Sequence, residues 1–267
     1  MADTTKKSLS YICPKIAIWL ISLPRSVERR LRVEKQLQAL SLDYQLYKAV
    51  DGEMQWDKIS KFVDIPAFEK NVGRIILPGE IGCYMSHIGV WRDFLDSRHD
   101  VTLVLEDDIL LHDDFLVAIQ HGLASIDKWD MLKLSRTRAK FPVKQDLIGP
   151  YQLNAFIGAF TGMSAYLITR SCAKRLLPHM LPILQPIDHA LDRIDLRTFR
   201  HFALQPFPSH ADDLGNSTIT GVGFSKVKKF HVSRRMNVYQ NRGCALVKKS
   251  FHLTLGKIGF FRSSNAY

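Results

Sequence analysis

The stretch Val101-Thr-Leu-Val-Leu-Glu106-Asp107-Asp108-Ile-Leu passes directly from an apolar run into three consecutive acids. The run consists of β-branched residues and leucines without a charge, which is typical of a strand covered on both faces. Ligands of open α/β sheets bind just beyond the carboxyl ends of such strands. The stretch therefore predicts a binding site at Glu106, Asp107 and Asp108.

Strand and helix patterns alternate on both sides of this stretch. Residues 15–23 predict a buried strand, and residues 24–40 have the spacing of a helix. Residues 79–96 carry an apolar stripe at helical spacing. Further strands are predicted at residues 44–50, 131–134 and 201–205, with two more within residues 149–168, and further helices at residues 113–126 and 169–177. The alternation predicts an α/β fold with a mainly parallel sheet and helices on both faces.

The composition is that of a globular protein with a sizeable core. The chain has 267 residues, of which 46% are hydrophobic, enough for one large α/β domain with an appendage. The cysteines are Cys13, Cys83, Cys172 and Cys244. They form no CxxC pair, which favours neither a zinc site nor a disulfide framework and fits a reducing cytoplasm. We predict neither a signal peptide nor a membrane-spanning helix, because no apolar run is long enough.

The charge of the chain is distributed unevenly. All 26 acidic residues lie at or before Asp213, whereas ten of the 37 basic residues follow it. Residues 1–213 therefore carry a net charge of +1 and the remainder carries +10. We expect residues 1–220 to form the α/β domain and residues 221–267 to form a basic, aromatic-rich appendage. Such a segment favours an anionic partner, either a membrane surface or a nucleic acid.

The acidic turn has two interpretations on spacing alone. Adjacent carboxylates repel each other unless a cation offsets their charge. Hard oxygen ligands suit Mg²⁺ or Mn²⁺, and Mg²⁺ sites usually combine one or two carboxylates with substrate phosphates. The alternative is an acidic strand-to-loop turn followed by a helix cap at Asp113.

Four segments carry a resemblance to a known family. Residues 16–30 (IAIWLISLPRSVERR) are similar to a strand followed by Asn-Leu-x-Arg-x-x-x-Arg, with Ser22 at the asparagine position. Residues 46–52 resemble an Ala-Val-Asp-Gly turn. Residues 77–87 (LPGEIGCYMSH) are similar to a Gly-Glu-x-Gly-Cys-x-x-Ser-His motif, and residues 104–109 (VLEDDI) are similar to an acidic motif. On these motifs the chain resembles glycosyltransferase family 25, the lipopolysaccharide-biosynthesis transferases. Including weaker matches further on, the likeness covers roughly residues 15–220.

The resemblance implies a GT-A-type fold, which is a Rossmann-like α/β domain, and a UDP-sugar donor, often UDP-galactose. It implies transfer to the growing oligosaccharide core of lipooligosaccharide or lipopolysaccharide. Its acidic motif corresponds to the metal-binding Asp-x-Asp of GT-A enzymes, so Asp108 and Glu106 are expected to bind Mn²⁺ or Mg²⁺. Asp107 is expected to lie at the donor. A metal on the diphosphate stabilises the charge that develops as the sugar departs.

Other side chains are candidates for donor binding. The resemblance implies that Glu80, Ser86 and His87 line the donor pocket; the alternative is a helix cap at Glu80 and a buried, satisfied histidine. Arg25 lies at a helix N-terminus, where anions bind well, and is a candidate contact for the nucleotide. Two further arginines of that helix are more typical of a solvated face. They are Arg29 and Arg30.

Two more candidates lie late in the domain. An inverting transferase needs a base for the acceptor hydroxyl, and Asp188 is the candidate, with Asp192 and Asp195 as weaker alternatives. Asp188 has the alternative role of a helix cap after a proline. His210 is a candidate third metal ligand, and a polar loop is the alternative.

The resemblance, taken with the basic segment, implies a cytoplasmic inverting β-galactosyltransferase that is held at the inner face of the cytoplasmic membrane by that segment. A transferase with UDP-glucose or UDP-N-acetylglucosamine as donor, or with a retaining outcome, is one alternative. A nucleic-acid-binding protein acting through the basic segment is another. No nucleic acid partner is expected, because the chain has no zinc, helix-turn-helix or RNP motif and that role leaves the acidic turn unexplained.

Overall fold

The computed structural model describes residues 16–212 and 227–257, with side chains as far as residue 253. Its strands are β1 (Ile16–Ser22), β2 (Gln45–Lys48), β3 (Val101–Glu106), β4 (Ile109–Leu111), β5 (Met131–Lys133), β6 (Arg138–Ala139), β7 (Pro142–Ile148), β8 (Tyr151–Phe156), β9 (Phe160–Thr161), β10 (Ala165–Thr169), β11 (His201–Gln205) and β12 (Ser209–Ala211). Its helices are α1 (Val27–Ala39), α2 (Trp56–Ile59), α3 (Ile65–Val72), α4 (Pro78–Asp96), α5 (Phe115–Ala124), α6 (Arg170–Leu176), α7 (Ile187–Asp192) and α8 (Met236–Lys257).

A central sheet organises the molecule. Its strands follow the order β2-β1-β3-β10-β5-β11-β8-β7, and only β10 and β8 run against the others. The parallel register of β1 and β3 aligns Ile21 with Glu106, so the chain leaves both strands at the same edge of the sheet. The predicted α/β fold with a mostly parallel sheet is confirmed, and it is consistent with a Rossmann-like GT-A fold.

Apolar residues cover both faces of the sheet. Along β1, Ala17, Trp19 and Ile21 belong to a core shared with α3, α4 and α6. The alternate residues Ile18 and Leu20 belong to a second core shared with α1 and α5. Because each fully buried large apolar side chain stabilises the fold by about 1.5–3 kcal/mol, both layers of helices are held firmly on the sheet.

Most predicted elements are present with slightly shifted ends. The helix expected at residues 79–96 is α4, and the strand expected at residues 201–205 is β11. Thr169 caps α6, because its hydroxyl accepts a hydrogen bond from the Cys172 amide at 3.2 Å. The sequence did not predict β7, most of whose side chains are exposed, or the reversed direction of β8 and β10. A hairpin or a short turn precedes each reversed strand, and strand periodicity does not reveal direction.

The described part of the C-terminal segment is a helix that packs against the domain. Val238 and Leu253 of α8 are buried, and the Lys249 ammonium pairs with Asp192 of α7. The domain boundary expected at residue 220 lies outside the described residues. Within residues 16–212 and 227–257, no helix has the length and apolar character that a membrane crossing requires.

Candidate active site

The strands beside β3 hold the acidic turn. On one side β1 ends at Ser22, whose Oγ donates a hydrogen bond to Asp107 Oδ2 at 2.7 Å. On the other side Ser164 precedes β10, and its Oγ donates to Glu106 Oε2 at 2.9 Å. The Ser164 carbonyl also accepts from the Glu106 amide at 2.9 Å. Two of the three acids are thus positioned by residues distant in sequence.

A chain of hydrogen bonds orients Glu106 from inside the protein. Trp91 Nε1 donates to the Tyr166 hydroxyl at 2.8 Å. That hydroxyl lies 3.0 Å from His87 Nδ1, and His87 Nε2 lies 3.2 Å from Glu106 Oε1. Since an ionised carboxylate only accepts, His87 Nε2–H donates to Glu106; in the neutral ring Nδ1 then accepts from the Tyr166 hydroxyl. Cys83 Sγ also lies 3.5 Å from Oε1.

The three acids differ in how easily they ionise. Burial opposes ionisation of Glu106, but its hydrogen bonds, first of all from His87, outweigh burial and lower its pKa. Burial raises the pKa of Asp107, and the charge of Arg29 offsets only part of that effect. Burial and the charge of Glu106 raise the pKa of Asp108 to about 7. Asp108 is therefore the acid that gains most from an added cation.

One guanidinium contacts two of these acids. Arg29 Nη2 lies 2.8 Å from Asp107 Oδ1 and 3.2 Å from Asp108 Oδ2. The Arg29 side chain is only 14% exposed, so the expectation of a solvated face was wrong. The available signal was its position as the last arginine of the Asn-Leu-x-Arg-x-x-x-Arg motif.

The acids face a cleft of about 660 Å³, part of which is open to solvent. The predicted site residues that line the cleft are Arg25, Ser86, His87, Glu106, Asp107 and Asp108. Most of the predicted donor-binding residues thus surround one space, and Glu80 is the exception.

The turn around Gly52 lies directly on α4. A Cβ atom at Gly82 would lie 2.4 Å from the Val50 carbonyl oxygen, and one at Gly52 would lie 1.8 Å from the Pro78 carbonyl oxygen. Ser86 Oγ accepts from the Val50 amide at 2.8 Å and donates to the Gly82 carbonyl at 2.7 Å. The turn at residues 46–52 and the motif at residues 77–87 both need glycine, because their backbones are in contact. The Ser86 hydroxyl links the two segments at the wall of the cleft.

Two predicted donor-site residues form ion pairs. Arg25 is half-exposed and pairs with Asp51, a buried acid. Asp51 lies on the predicted turn but was not among the predicted site residues. Glu80 is buried and pairs with Arg74. Burial raises the pKa of Glu80 even though Arg74 acts in the opposite direction. Both residues therefore have a partner within the protein, but only Arg25 lines the cleft.

Asp188 lies on α7 and is not among the residues that line the cleft. Its Oδ2 accepts from the Gly162 amide at 3.1 Å and its Oδ1 from the His189 amide at 2.8 Å. Burial raises the pKa of the Cys83 thiol, and the nearby charges of Glu106 and Asp188 add to the effect. Cys83 itself lines the cleft.

The structure does not bring His210 to the acidic turn. His210 lies on β12, opposite Leu110 of β4, and its Nδ1 lies 2.7 Å from His112 Nε2. Asp212 follows, and its amide donates to the Asp108 carbonyl at 2.7 Å. The backbone just after β12 thus contacts the acidic turn, but the His210 ring contacts His112 instead.

The acidic turn fits a hard divalent cation. Asp108 Oδ1 is buried and has no hydrogen-bond partner among the described residues. Cys83, His87 and Glu106 also place three potential ligand atoms within 4.8 Å of one another. In that group, however, the contacts are hydrogen bonds to Glu106, and the raised pKa of Cys83 opposes the thiolate that a metal needs. The oxygens of Asp108 and Glu106 are the better match for Mn²⁺ or Mg²⁺.

The fold, the cleft and its acids are consistent with the GT-A class of α/β proteins. Comparison with family models assigns the family. The model described as glycosyltransferase family 25 (LPS biosynthesis protein) matches residues 15–191. The chain belongs to this family, which confirms the resemblance seen in its motifs.

Several curated proteins are similar to the chain. Procollagen galactosyltransferase 1-B of Xenopus laevis is 27% identical over 220 residues, which cover 72% of this chain and 36% of that protein. A glycosyltransferase 25 family member of Anopheles gambiae is 32% identical, covering 72% and 33%. A probable inactive glycosyltransferase 25 family member 3 of Bos taurus is 24% identical, covering 62% and 30%. The chain spans about a third of the length of these relatives.

Proposed function

We propose that the chain transfers galactose from UDP-galactose to the oligosaccharide core of lipooligosaccharide or lipopolysaccharide. The reaction inverts the anomeric centre, forms a β-linkage and depends on Mn²⁺ or Mg²⁺. One observation carries the proposal: a single cleft combines the acidic turn with Arg25 and Arg29. The family and the galactosyltransferase names of several relatives support the reaction class.

The cleft has charges of both signs, as a nucleotide sugar and its cation require. Arg25 and Arg29 offer guanidinium groups, which match phosphate oxygens in a planar, two-pronged geometry. Asp108 and Glu106 would hold the cation, which stabilises the charge of the departing diphosphate. His87 and Ser164 keep the Glu106 carboxylate oriented and ionised.

Asp188 is the proposed base for the acceptor hydroxyl. Its two alternatives are poorer proton acceptors. Asp192 is ion-paired with Lys249, and hydrogen bonds from Arg197 lower the pKa of Asp195 to about 2. Asp188 instead accepts from the neutral amides of the backbone. With Asp188 as the base, the acceptor would approach from the side of α7.

A second candidate acceptor comes from the relatives. The family description refers to lipopolysaccharide biosynthesis, which supports the lipid-linked oligosaccharide. The names of several relatives refer to procollagen, which makes a collagen-type polypeptide the second candidate. Both acceptors present a hydroxyl to the same donor, so the proposed chemistry in the cleft is unchanged.

The proposed location is the inner face of the cytoplasmic membrane, with α8 in contact with the lipid. This helix docks through Val238, Lys249 and Leu253, and it exposes apolar side chains elsewhere around its axis. They are Met236, Tyr239, Leu246, Val247 and Phe251. Arg242 and Lys248 are exposed on the same helix, and no acid occurs in residues 221–267. An apolar face on a basic helix suits an anionic leaflet.

The direct test is release of UDP by the purified protein. UDP-galactose, UDP-glucose and UDP-N-acetylglucosamine would each be supplied with deacylated lipooligosaccharide or a collagen-type peptide, with Mn²⁺ or with EDTA. We expect release with UDP-galactose, its loss in EDTA, and a β-anomeric product by NMR. Release with another donor, or an α-anomeric product, would replace the corresponding part of the proposal.

The first variant to test is Asp108→Asn, with Asp113→Asn as the matched control. Asp108 has a buried oxygen at the acidic turn, whereas Asp113 is exposed beyond β4. We expect Asp108→Asn to lower transfer by about 10²–10³-fold, because it removes a charge that acts on the reaction, and to leave the fold intact. The control should keep full activity. Near-normal transfer by Asp108→Asn would count against the assignment.

A further inference from the structure

Arg29 already supplies positive charge where the proposed cation would bind. Its Nη2 contacts both Asp107 Oδ1 and Asp108 Oδ2, and the residue lines the cleft. A guanidinium and the proposed divalent cation therefore compete for one carboxylate, that of Asp108. The second oxygen of Asp108 is buried and has no hydrogen-bond partner among the described residues, so Arg29 satisfies this acid only in part.

A cation at Asp108 would meet Arg29 within a few ångströms, and two positive groups that close together repel each other. The repulsion falls if the guanidinium acquires an anion of its own. A nucleotide diphosphate is such an anion, since its oxygens match the guanidinium fork. Nearby Arg25 does not face this competition, because its partner is Asp51 on the opposite turn.

We propose that Arg29 is the resident counter-cation of the acidic turn and releases Asp108 to the divalent cation when a nucleotide diphosphate engages its guanidinium. This inference rests on the proposed donor and cation. Its consequence is a coupling between two ligands: the nucleotide raises the affinity for the cation, and the cation raises the affinity for the nucleotide by the same factor. Arg29 thereby favours loading of the cation together with the donor.

The test measures cation binding without turnover. Free Mn²⁺ is followed by its electron paramagnetic resonance signal during titration of the protein, with and without saturating UDP, after correction for Mn²⁺ bound by UDP alone. The variant is Arg29→Gln. The matched control is Arg30→Gln, the next residue of α1, whose Nε lies 3.6 Å from Glu34 Oε1 on the same helix.

In the wild type we expect UDP to tighten Mn²⁺ binding by about 5- to 150-fold, the usual range of coupling between sites. Without UDP, Arg29→Gln should bind Mn²⁺ about tenfold more tightly than the wild type, since the competing charge is gone. UDP should then produce a smaller enhancement than in the wild type. Arg30→Gln should behave like the wild type in both respects.

The inference is overturned if Arg29→Gln binds Mn²⁺ no more tightly than the wild type, or if the enhancement by UDP is unchanged. Absence of Mn²⁺ binding in every protein also overturns it. Should Arg29→Gln lose its far-UV circular dichroism, Arg29→Lys takes its place, because a compact, strongly hydrated ammonium does not reproduce the geometry of the guanidinium. If Arg29→Lys then has the Mn²⁺ affinity of the wild type, the inference is overturned. Galactosyl transfer measured on the same samples shows separately whether the proposed function stands.

Discussion

Glu106 ends a strand of apolar residues, and yet its pKa lies below the ordinary value. Burial alone would raise that pKa, and the hydrogen bonds from His87, Ser164 and Cys83 reverse the effect. His87 is completely buried and is itself fixed by Tyr166. The charge at the cleft is therefore maintained by groups in the interior.

His87→Gln should weaken the site without unfolding the protein. The variant interrupts the chain of hydrogen bonds behind Glu106, and loss of such a supporting partner typically lowers metal affinity or activity by about 10- to 100-fold. Mn²⁺ titration and UDP release measure the effect. His99→Gln, in the loop before β3, is the control and should leave both unchanged. Wild-type values for His87→Gln would contradict the role given to this network.

At Lys133, another buried charged residue, burial outweighs the nearby opposite charges and destabilises the charged form. It is 0% exposed, and its ammonium lies 3.3 Å from the Phe160 carbonyl and 4.3 Å from the centre of that ring. Burial lowers the pKa of Lys133 to about 8, although the charges of Asp188 and Asp192 act in the opposite direction. This lysine therefore has a weaker hold on its proton than an exposed one.

Lys133→Met should change how stability depends on pH. Between pH 8 and 10.5 the unfolded chain binds more protons than the folded one at this residue, so its contribution to the free energy of unfolding rises with pH. The wild type should gain up to roughly 3 kcal/mol relative to Lys133→Met across this window. Urea unfolding at several pH values tests this, with exposed Lys144→Met as the control. A pH-independent difference would refute the prediction.

At the scale of elements, the cleft depends on three pieces that meet at the sheet edge. The ends of β1 and β3 supply the acids and Ser22, and α4 supplies the opposite wall. Arg25, in the turn before α1, and Arg29, in its first turn, supply the guanidinium groups. The turn around Gly52 closes the gap between β2 and α4. Gly82 is the point at which helix and turn are in backbone contact.

Gly82→Ala should destabilise the protein, because the new methyl group would lie 2.4 Å from the Val50 oxygen and 2.7 Å from the Gly52 nitrogen. Both are backbone atoms, and forcing extra volume into such a contact costs about 1–3 kcal/mol. Gly243→Ala on α8 is the matched control. Nothing lies within 4 Å of its new methyl group, so the helix should gain up to about 1 kcal/mol. Equal shifts in urea unfolding would refute the packing explanation.

At the scale of the whole molecule, the net positive charge and the cleft lie in different parts of the chain. Residues 1–213, which contain the cleft, carry a net charge of only +1, and the remaining +10 lies in residues 214–267. Lys249 ties α8 to α7, and α7 carries Asp188. The helix proposed to face the membrane is thus connected with the helix proposed to receive the acceptor.

Val247→Glu should weaken binding to anionic vesicles. Val247 is 66% exposed on the apolar face of α8, and loss of its burial in lipid should lower the partition coefficient on the order of tenfold. Sedimentation with phosphatidylglycerol vesicles measures this, and phosphatidylcholine vesicles should bind little. Leu147→Glu, at an exposed position of β7, is the control. Equal binding by both variants would exclude this face, and displacement by DNA would favour the nucleic-acid alternative.

Short-range pattern predicted a large share of the fold. The apolar run of β3 and the stripe of α4 were placed from sequence, because burial imposes a period on each type of element. The exposed strand β7 and the direction of β10 were not placed. Side chains that are largely exposed carry no such period, and strand direction depends on connections across the sheet.

The sequence by itself determined that an apolar strand delivers three acids to the edge of an α/β sheet, because strand periodicity and the adjacent acids are local properties. Only the tertiary structure decided which residues surround them. Arg29 lies more than 70 residues from Asp107 and Ser164 lies 58 residues from Glu106, yet both are in direct contact with these acids. These contacts arise because β1 and β10 flank β3, and no local pattern encodes the neighbours that a strand acquires when the sheet assembles.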